Sequence, residues 1–83
     1  MNSNVVFCTH FKKELPALER APISGPLGDI ILKHVSHDAW QEWLEAQIKI
    51  INEERLDLSE EVAQERLYNQ MVAFLGLEDV IQQ

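Results

Sequence analysis

Residues 37–58, HDAWQEWLEAQIKIINEERLDL, hold both tryptophans and the longest helical pattern of the chain, so any fold must be arranged to cover them. At about 100° per residue, Trp40, Trp43, Leu44, Ile48 and Ile51 project to one side, and Glu42, Glu45, Lys49 and Glu53 to the other. This is an amphipathic helix with a core-facing stripe. Ser36 offers a capping oxygen to the free amides of its first turn, and Asp38 places negative charge at the positive end of the helix dipole. Gln47 interrupts the apolar side, where an amide costs free energy unless its donors and acceptor are matched. The backbone of a neighbouring loop is the expected partner, since most buried side-chain hydrogen bonds serve the main chain; a ligand is the alternative.

The flanking segments read as elements that close over this helix. Residues 4–11 (NVVFCTHF) are rich in β-branched and aromatic residues without helical spacing, which predicts a strand. On it Val5, Phe7, Thr9 and Phe11 would share one face, and Val6, Cys8 and His10 the other. Residues 12–24 contain Pro16 and Pro22, which exclude a central strand and break any helix. A lone strand leaves its backbone groups unpaired, so part of this excursion, around residues 18–21, is expected to return beside the first strand. Gly25-Pro26 opens a first helix with Leu27, Ile30, Ile31 and Val35 as its stripe, because proline at the first helical position loses no hydrogen bond. Gly28 within that helix costs about 1 kcal/mol relative to alanine and therefore signals close backbone approach. An anion site there is disfavoured, since GPLG is no phosphate-loop fingerprint and Asp29 would repel the anion. Ser59 followed by Glu60 and Glu61 predicts the start of a third helix. Its stripe is Leu67, Met71, Phe74 and Leu75, and Gly76 ends it in a left-handed conformation. Residues 77–83 are expected to fray or wrap weakly. The whole is one α+β domain over residues 1–83, three helices with a small two-stranded antiparallel sheet formed by the N-terminal segment.

Size and charge narrow the function classes. An 83-residue chain is of a size that buries only about 60% of its unfolded surface. Fourteen acidic against seven basic residues give a net charge of -7, a field that repels phosphate backbones and anionic lipid surfaces. Neither nucleic acid nor membrane is expected as a partner. No apolar run approaches the roughly 20 residues that span a bilayer, and the N-terminus lacks the basic-then-apolar order of a signal peptide. One cysteine cannot form an internal disulfide, which fits a reducing compartment. The expectation is a cytoplasmic monomer.

Chemistry is concentrated at one residue. The sequence has no CxxC, no HExxH, no glycine-rich cradle and no recognisable nucleophile signature, so no enzyme is indicated. Cys8 alone is intrinsically reactive, and its thiolate fraction depends on whether it lies near positive charge or among apolar groups. A small buried hydrophobe is the plain reading of a free cysteine. On a strand, His10 would point to the same side as Cys8 and could share a metal with it. His34 and His37 read as a helix C-terminal dipole partner and an exposed N-terminal residue. Function is expected around Cys8 and residues 14–20, ELPALER, whose charges no core requirement explains; binding groups concentrate on such irregular segments. If Arg20 or Glu19 lies near Cys8, arginine would lower the thiol pKa and glutamate would raise it.

Taken together, Phe7-Cys8, Glu14-Leu15-Pro16, Leu18-Glu19-Arg20 with Pro22, Gly25 and Gly28, Ala39-Trp40 with Trp43, Gln47, Ile51-Asn52-Glu53, Leu56, Met71 and Phe74-Leu75 form a pattern. It resembles the YggX family of small bacterial iron(II)-trafficking or oxidative-damage-protection proteins over nearly the whole chain. The resemblance implies three helices with a small antiparallel sheet. It also implies handing Fe(II) to iron-sulfur cluster assembly or repair, protecting labile clusters from oxidants, and Cys8 as the matching thiol. Ser24 stands where the family usually has proline, Asp57-Leu58 replaces Asn-Met, the tail beyond Gly76 is short, and His10 lies outside the shared pattern.

Fe(II) lies low in the divalent affinity order, so one thiolate with scattered carboxylates suits a weak or transient site. Cys8 with Glu14, Glu19 or His10, or a site completed by an iron-sulfur assembly or cluster-containing partner, would serve. Two alternatives are an acidic interaction module that binds no iron as a monomer, and a redox thiol whose oxidised Cys8 condenses with a thiol of another molecule. Exposure of the Cys8 sulfur discriminates among these.

Overall fold

The computed structural model describes residues 4–81. Strand β1 (Val5–Cys8) pairs antiparallel with β2 (Lys13–Pro16), in the register Val5 with Pro16, Val6 with Leu15, Phe7 with Glu14 and Cys8 with Lys13. The return strand thus comes earlier than residues 18–21. The reason lies in the connection, residues 9–12. Thr9 donates its amide to the His34 carbonyl at 2.9 Å, and Lys12 adopts a left-handed conformation (φ 61°) with its amide 2.7 Å from the Cys8 carbonyl. The first strand therefore stops at Cys8, and His10 and Phe11 belong to the turn. Pro16 is tolerated because each strand of a two-stranded sheet has a free edge. The Ala17 amide carries the ladder one step further, to the Asn4 carbonyl at 2.9 Å.

Helix α1 (Gly25–His34) opens with Pro26 in its first turn, as expected, and buries Ile31 completely. Gly28 is closely approached: a Cβ built there would lie 1.8 Å from the Ile23 carbonyl oxygen. Helix α2 (His37–Glu54) is capped by Ser36, whose hydroxyl oxygen accepts from the Ala39 amide at 3.1 Å. Ala39 and Trp43 are buried on its inner side and Trp40 is half-buried, whereas Ile48 is 58% exposed and stands off the core. Gln47 makes no hydrogen bond to any described residue, so no loop of the chain meets it as expected. Arg55 ends α2 in a left-handed conformation (φ 53°).

Helix α3 (Glu61–Leu75) begins one residue later than a Ser59 cap predicts, with Glu60 in the cap position. Asp57 accepts from both the amide (3.0 Å) and the hydroxyl (2.6 Å) of Ser59, which commits that side chain to a turn before the helix. These bonds hold the Asp57 carboxyl below its usual range. Gly76 ends α3 with φ 71°, as expected. Residues 77–81 are packed: Leu77 is fully buried, its amide reaches the Val72 carbonyl at 2.9 Å, and a short helix, α4 (Glu78–Ile81), follows; residues 82 and 83, part of the same expectation, lie outside the described residues. Leu77 supplies an apolar anchor that makes the extra turn worthwhile. The fold is α+β with a two-stranded antiparallel sheet, and the described residues carry four helices where three were expected. Its core joins Cys8 of the sheet to Ile31 and Val35, to Ala39 and Trp43, and to Met71, Leu75 and Leu77. No helix of the described residues is long and apolar enough to cross a membrane.

Candidate functional site

Along β1 exposure alternates: Val5 and Phe7 are 56% and 57% exposed, and Cys8 at the inner end is 0% exposed. Three contacts fix this end of the strand. The Thr9 amide binds the carbonyl at the end of α1, and the Thr9 hydroxyl donates to the Leu75 carbonyl at 2.6 Å, with the His34 carbonyl oxygen 3.2 Å away. Gly76 packs against the same residue, since a Cβ there would lie 2.8 Å from the Thr9 carbonyl oxygen. One residue after the cysteine thus ties the ends of two helices together.

The sulfur sits in the resulting corner. The Ser36 amide lies 3.5 Å from Sγ. Burial pushes the thiol pKa up, but hydrogen bonds from the Ser36 hydroxyl and amide and from the amides of Phe11 and His10 outweigh it and lower the pKa. Ser36, itself fully buried, serves two elements: its oxygen caps α2 while its donors face the sulfur. The corner therefore favours a thiolate electronically and shields it sterically.

Residues named as possible co-ligands go elsewhere. Glu14 pairs with Phe7 across the sheet, on the face away from the Cys8 side chain. The His10 ring stacks on Phe74 (4.7 Å between centroids, 16° between planes) and makes an edge contact with Phe11 at 4.6 Å. Its Nδ1 lies 2.7 Å from the Phe74 carbonyl oxygen and its Nε2 3.1 Å from Glu42 Oε1, so both nitrogens are committed. The strand alternation that placed His10 beside Cys8 fails because the strand ends at Cys8. Glu19 and Arg20 line a hollow with Pro16, His37 and Asp38 at the start of α2, and hydrogen bonds, not their charges, set the state of the thiol. Among the described residues no group of three or more His, Cys, Asp or Glu side chains is placed to hold a metal.

The sequence signalled Ser36 as a cap but gave no sign of its contact with a sulfur 28 positions away. Thr9, the residue that closes the corner, carried no signal.

Residues 1–83 match the model of the family described as Bacterial Fe(2+) trafficking. The chain belongs to this family. Among curated relatives, the "Probable Fe(2+)-trafficking protein" of Marinomonas sp. (strain MWYL1) is 43% identical over 76 residues, covering 92% of this chain and 81% of that protein. The protein of the same description from Ectopseudomonas mendocina (strain ymp) is 40% identical over 80 residues, covering 96% and 89%. That of Coxiella burnetii (strain CbuG_Q212) is 43% identical over 70 residues, covering 84% and 78%. The resemblance carried by Phe7-Cys8, the paired glycines and the tryptophans is thus a family relationship, and the member described here keeps its one thiol in a closed, donor-rich corner.

Proposed function

We propose that this protein is a cytoplasmic, monomeric carrier, not a catalyst, that moves Fe(II) as cargo toward iron-sulfur cluster synthesis and repair under oxidative stress. The observation that carries the reading is the family match over residues 1–83. The Cys8 corner says how such a carrier would work. A thiolate favoured by four donors is a competent soft ligand, but a fully buried sulfur with no surrounding set of carboxylates among the described residues offers Fe(II) at most one strong bond. The metal is held weakly and transiently when the corner opens, and an iron-sulfur assembly or cluster-containing partner supplies the remaining ligands. Release then costs little, as delivery requires.

A second reading is favoured by the burial itself: an acidic interaction module that docks such a partner and binds no iron as a monomer. Condensation of an oxidised Cys8 with an outside thiol needs the same opening. Anaerobic titration of Fe(II) into wild type and Cys8→Ser distinguishes the two main readings. Saturable binding that weakens in the variant is the expected result for the carrier. Binding by neither protein refutes cargo at Cys8 and leaves the module.

A further inference from the structure

A groove of about 590 Å3 opens on the side of the helices formed by Trp40, Trp43, Leu44, Leu67 and Met71, and none of the groups that surround the Cys8 sulfur lines it. Its rim is apolar as well: Ile23, Leu58 and Tyr68 are each 39–40% exposed there. The Gln47 amide belongs to the lining and has no partner among the described residues, and neither has the Tyr68 hydroxyl. An apolar cleft with a few unmet polar groups is the usual form of a recognition site.

Charge says what enters it. The Gln64 and Tyr68 wall is shared with a neighbouring hollow of about 450 Å3 lined by Glu61 and Glu65. Neither carboxylate has an ion-pair partner among the described residues; Arg66, on the same helix, is paired with Glu54. An occupant of the groove thus meets two unneutralised acids at one end, in a chain of net charge -7. A second copy of the chain would bring like charge to that end, and nucleic acid or an anionic membrane would be repelled. The chain's own C-terminal helix is engaged elsewhere, with Glu78 and Ile81 lining a different hollow against Asn69 and Val72.

The form of the occupant follows from Gln47. A helix satisfies its own backbone and would leave this amide unmatched, whereas an extended segment presents free N–H and C=O groups. We propose that the groove between α2 and α3 docks a short extended segment of a partner protein, with apolar side chains against the half-buried Trp40, Leu44 and Leu67, its main chain on Gln47, and a flanking Lys or Arg in the Glu61/Glu65 hollow. This inference is independent of iron binding at Cys8.

Both tryptophans line the groove, so their emission reports occupancy directly. The probe is a blocked octapeptide with leucine and phenylalanine at alternating positions followed by two arginines, titrated without metal. A saturable emission change is expected, and it should be equal in Cys8→Ser. Binding should weaken about threefold to tenfold in a Glu61→Gln/Glu65→Gln double variant and about fivefold in Gln47→Leu; both variants should remain cooperatively folded, the first melting slightly lower because Glu61 lies in the first turn of α3. A peptide carrying two glutamates in place of the arginines should bind more weakly still. No saturable change, or equal affinity for the arginine and glutamate peptides, would overturn the proposal. So would a neutral apolar dye that saturates the groove while the arginine peptide does not. None of these outcomes bears on the Fe(II) titration.

Discussion

Replacing Gly28 by alanine sets two effects of opposite sign against each other, and the structure decides between them. Gly28 lies inside α1 without a positive φ, so alanine would gain about 1 kcal/mol of helix propensity. Against that, the new methyl carbon would sit 1.8 Å from the Ile23 carbonyl oxygen and 2.8 Å from its carbon, whereas ordinary contact begins at 3.4 Å. The shortfall of 1.6 Å is taken up by backbone, not by a flexible side chain that could swing aside. Overpacking of this kind costs about 1–3 kcal/mol, occasionally more, and with rigid main chain the upper end applies. The net loss is therefore about 2 kcal/mol, a sizeable share of the roughly 5–15 kcal/mol available to a small domain. Urea unfolding should show a lowered midpoint at unchanged slope, and the melting temperature should fall by about 10 °C. Because Ile23 also forms part of the groove rim, the same displacement should alter tryptophan emission. A Gly28→Ala protein as stable as wild type, or more so, would mean that propensity wins and that the close approach of residue 23 is not what the glycine is for.

Trp43→Ala should cost about 3–5 kcal/mol, since the ring is 2% exposed and packs 5.6 Å from Phe74; near-wild-type unfolding in urea would refute its core role. Thr9→Val, which keeps the shape and removes the 2.6 Å hydrogen bond to Leu75, should cost about 1–2 kcal/mol. The corner would then open about 5–30 times more often, read as faster alkylation of Cys8 at fixed pH; an unchanged rate would show that Thr9 does not hold it shut. The folded-state pKa of Cys8 is lowered, so its ionisation stabilises the fold. That contribution is complete above the unfolded thiol value and is lost as pH falls through the folded one. The stability of wild type minus that of Cys8→Ser should accordingly grow as pH rises toward the unfolded thiol value of about 8.5 and level off above it, and a flat difference in urea midpoints across that rise would contradict the donor arrangement. Arg66→Ala should leave the urea midpoint essentially unchanged, because its pairing with Glu54 is solvent-exposed; a clearly lowered midpoint would refute that.

The parts of the fold legible in the sequence are those governed by local rules. Pro26 in the first turn of α1, the Ser36 cap and the left-handed Gly76 each follow from what a helix end requires of its own residues. Gly28 was legible for a different reason, since a costly residue inside a helix needs a spatial cause. Strand length was not legible, because residues 4–11 keep β-forming composition to their end. What stops the strand at Cys8 is Thr9 bonding to carbonyls 25 and 66 positions away. The aromatic character of His10 and Phe11 serves ring packing, His10 on Phe74 and Phe11 edge-on to His10, and not pairing in a sheet. Gln47 misled in the other direction. A buried amide must be matched, but Gln47 is only half-buried in a groove, and no loop among the described residues reaches it.

The same contacts that lower the Cys8 thiol pKa also keep its sulfur from being available as the proposed ligand. Each donor on the sulfur belongs to a segment that must stay in place for the core to close: Ser36 begins α2, and the amides of His10 and Phe11 belong to the turn that Thr9 fixes to α1 and α3. Opening the corner enough to admit a metal ion would loosen that turn and with it the donors that favour the thiolate, so exposure and activation oppose each other in the isolated chain. A partner resolves the opposition if its binding stabilises the open corner and brings replacement donors or ligands, because a ligand shifts a conformational equilibrium only by its differential affinity for the two states. On the proposed function, Fe(II) transfer through Cys8 would therefore be an event of a complex, with docking and metal transfer coupled.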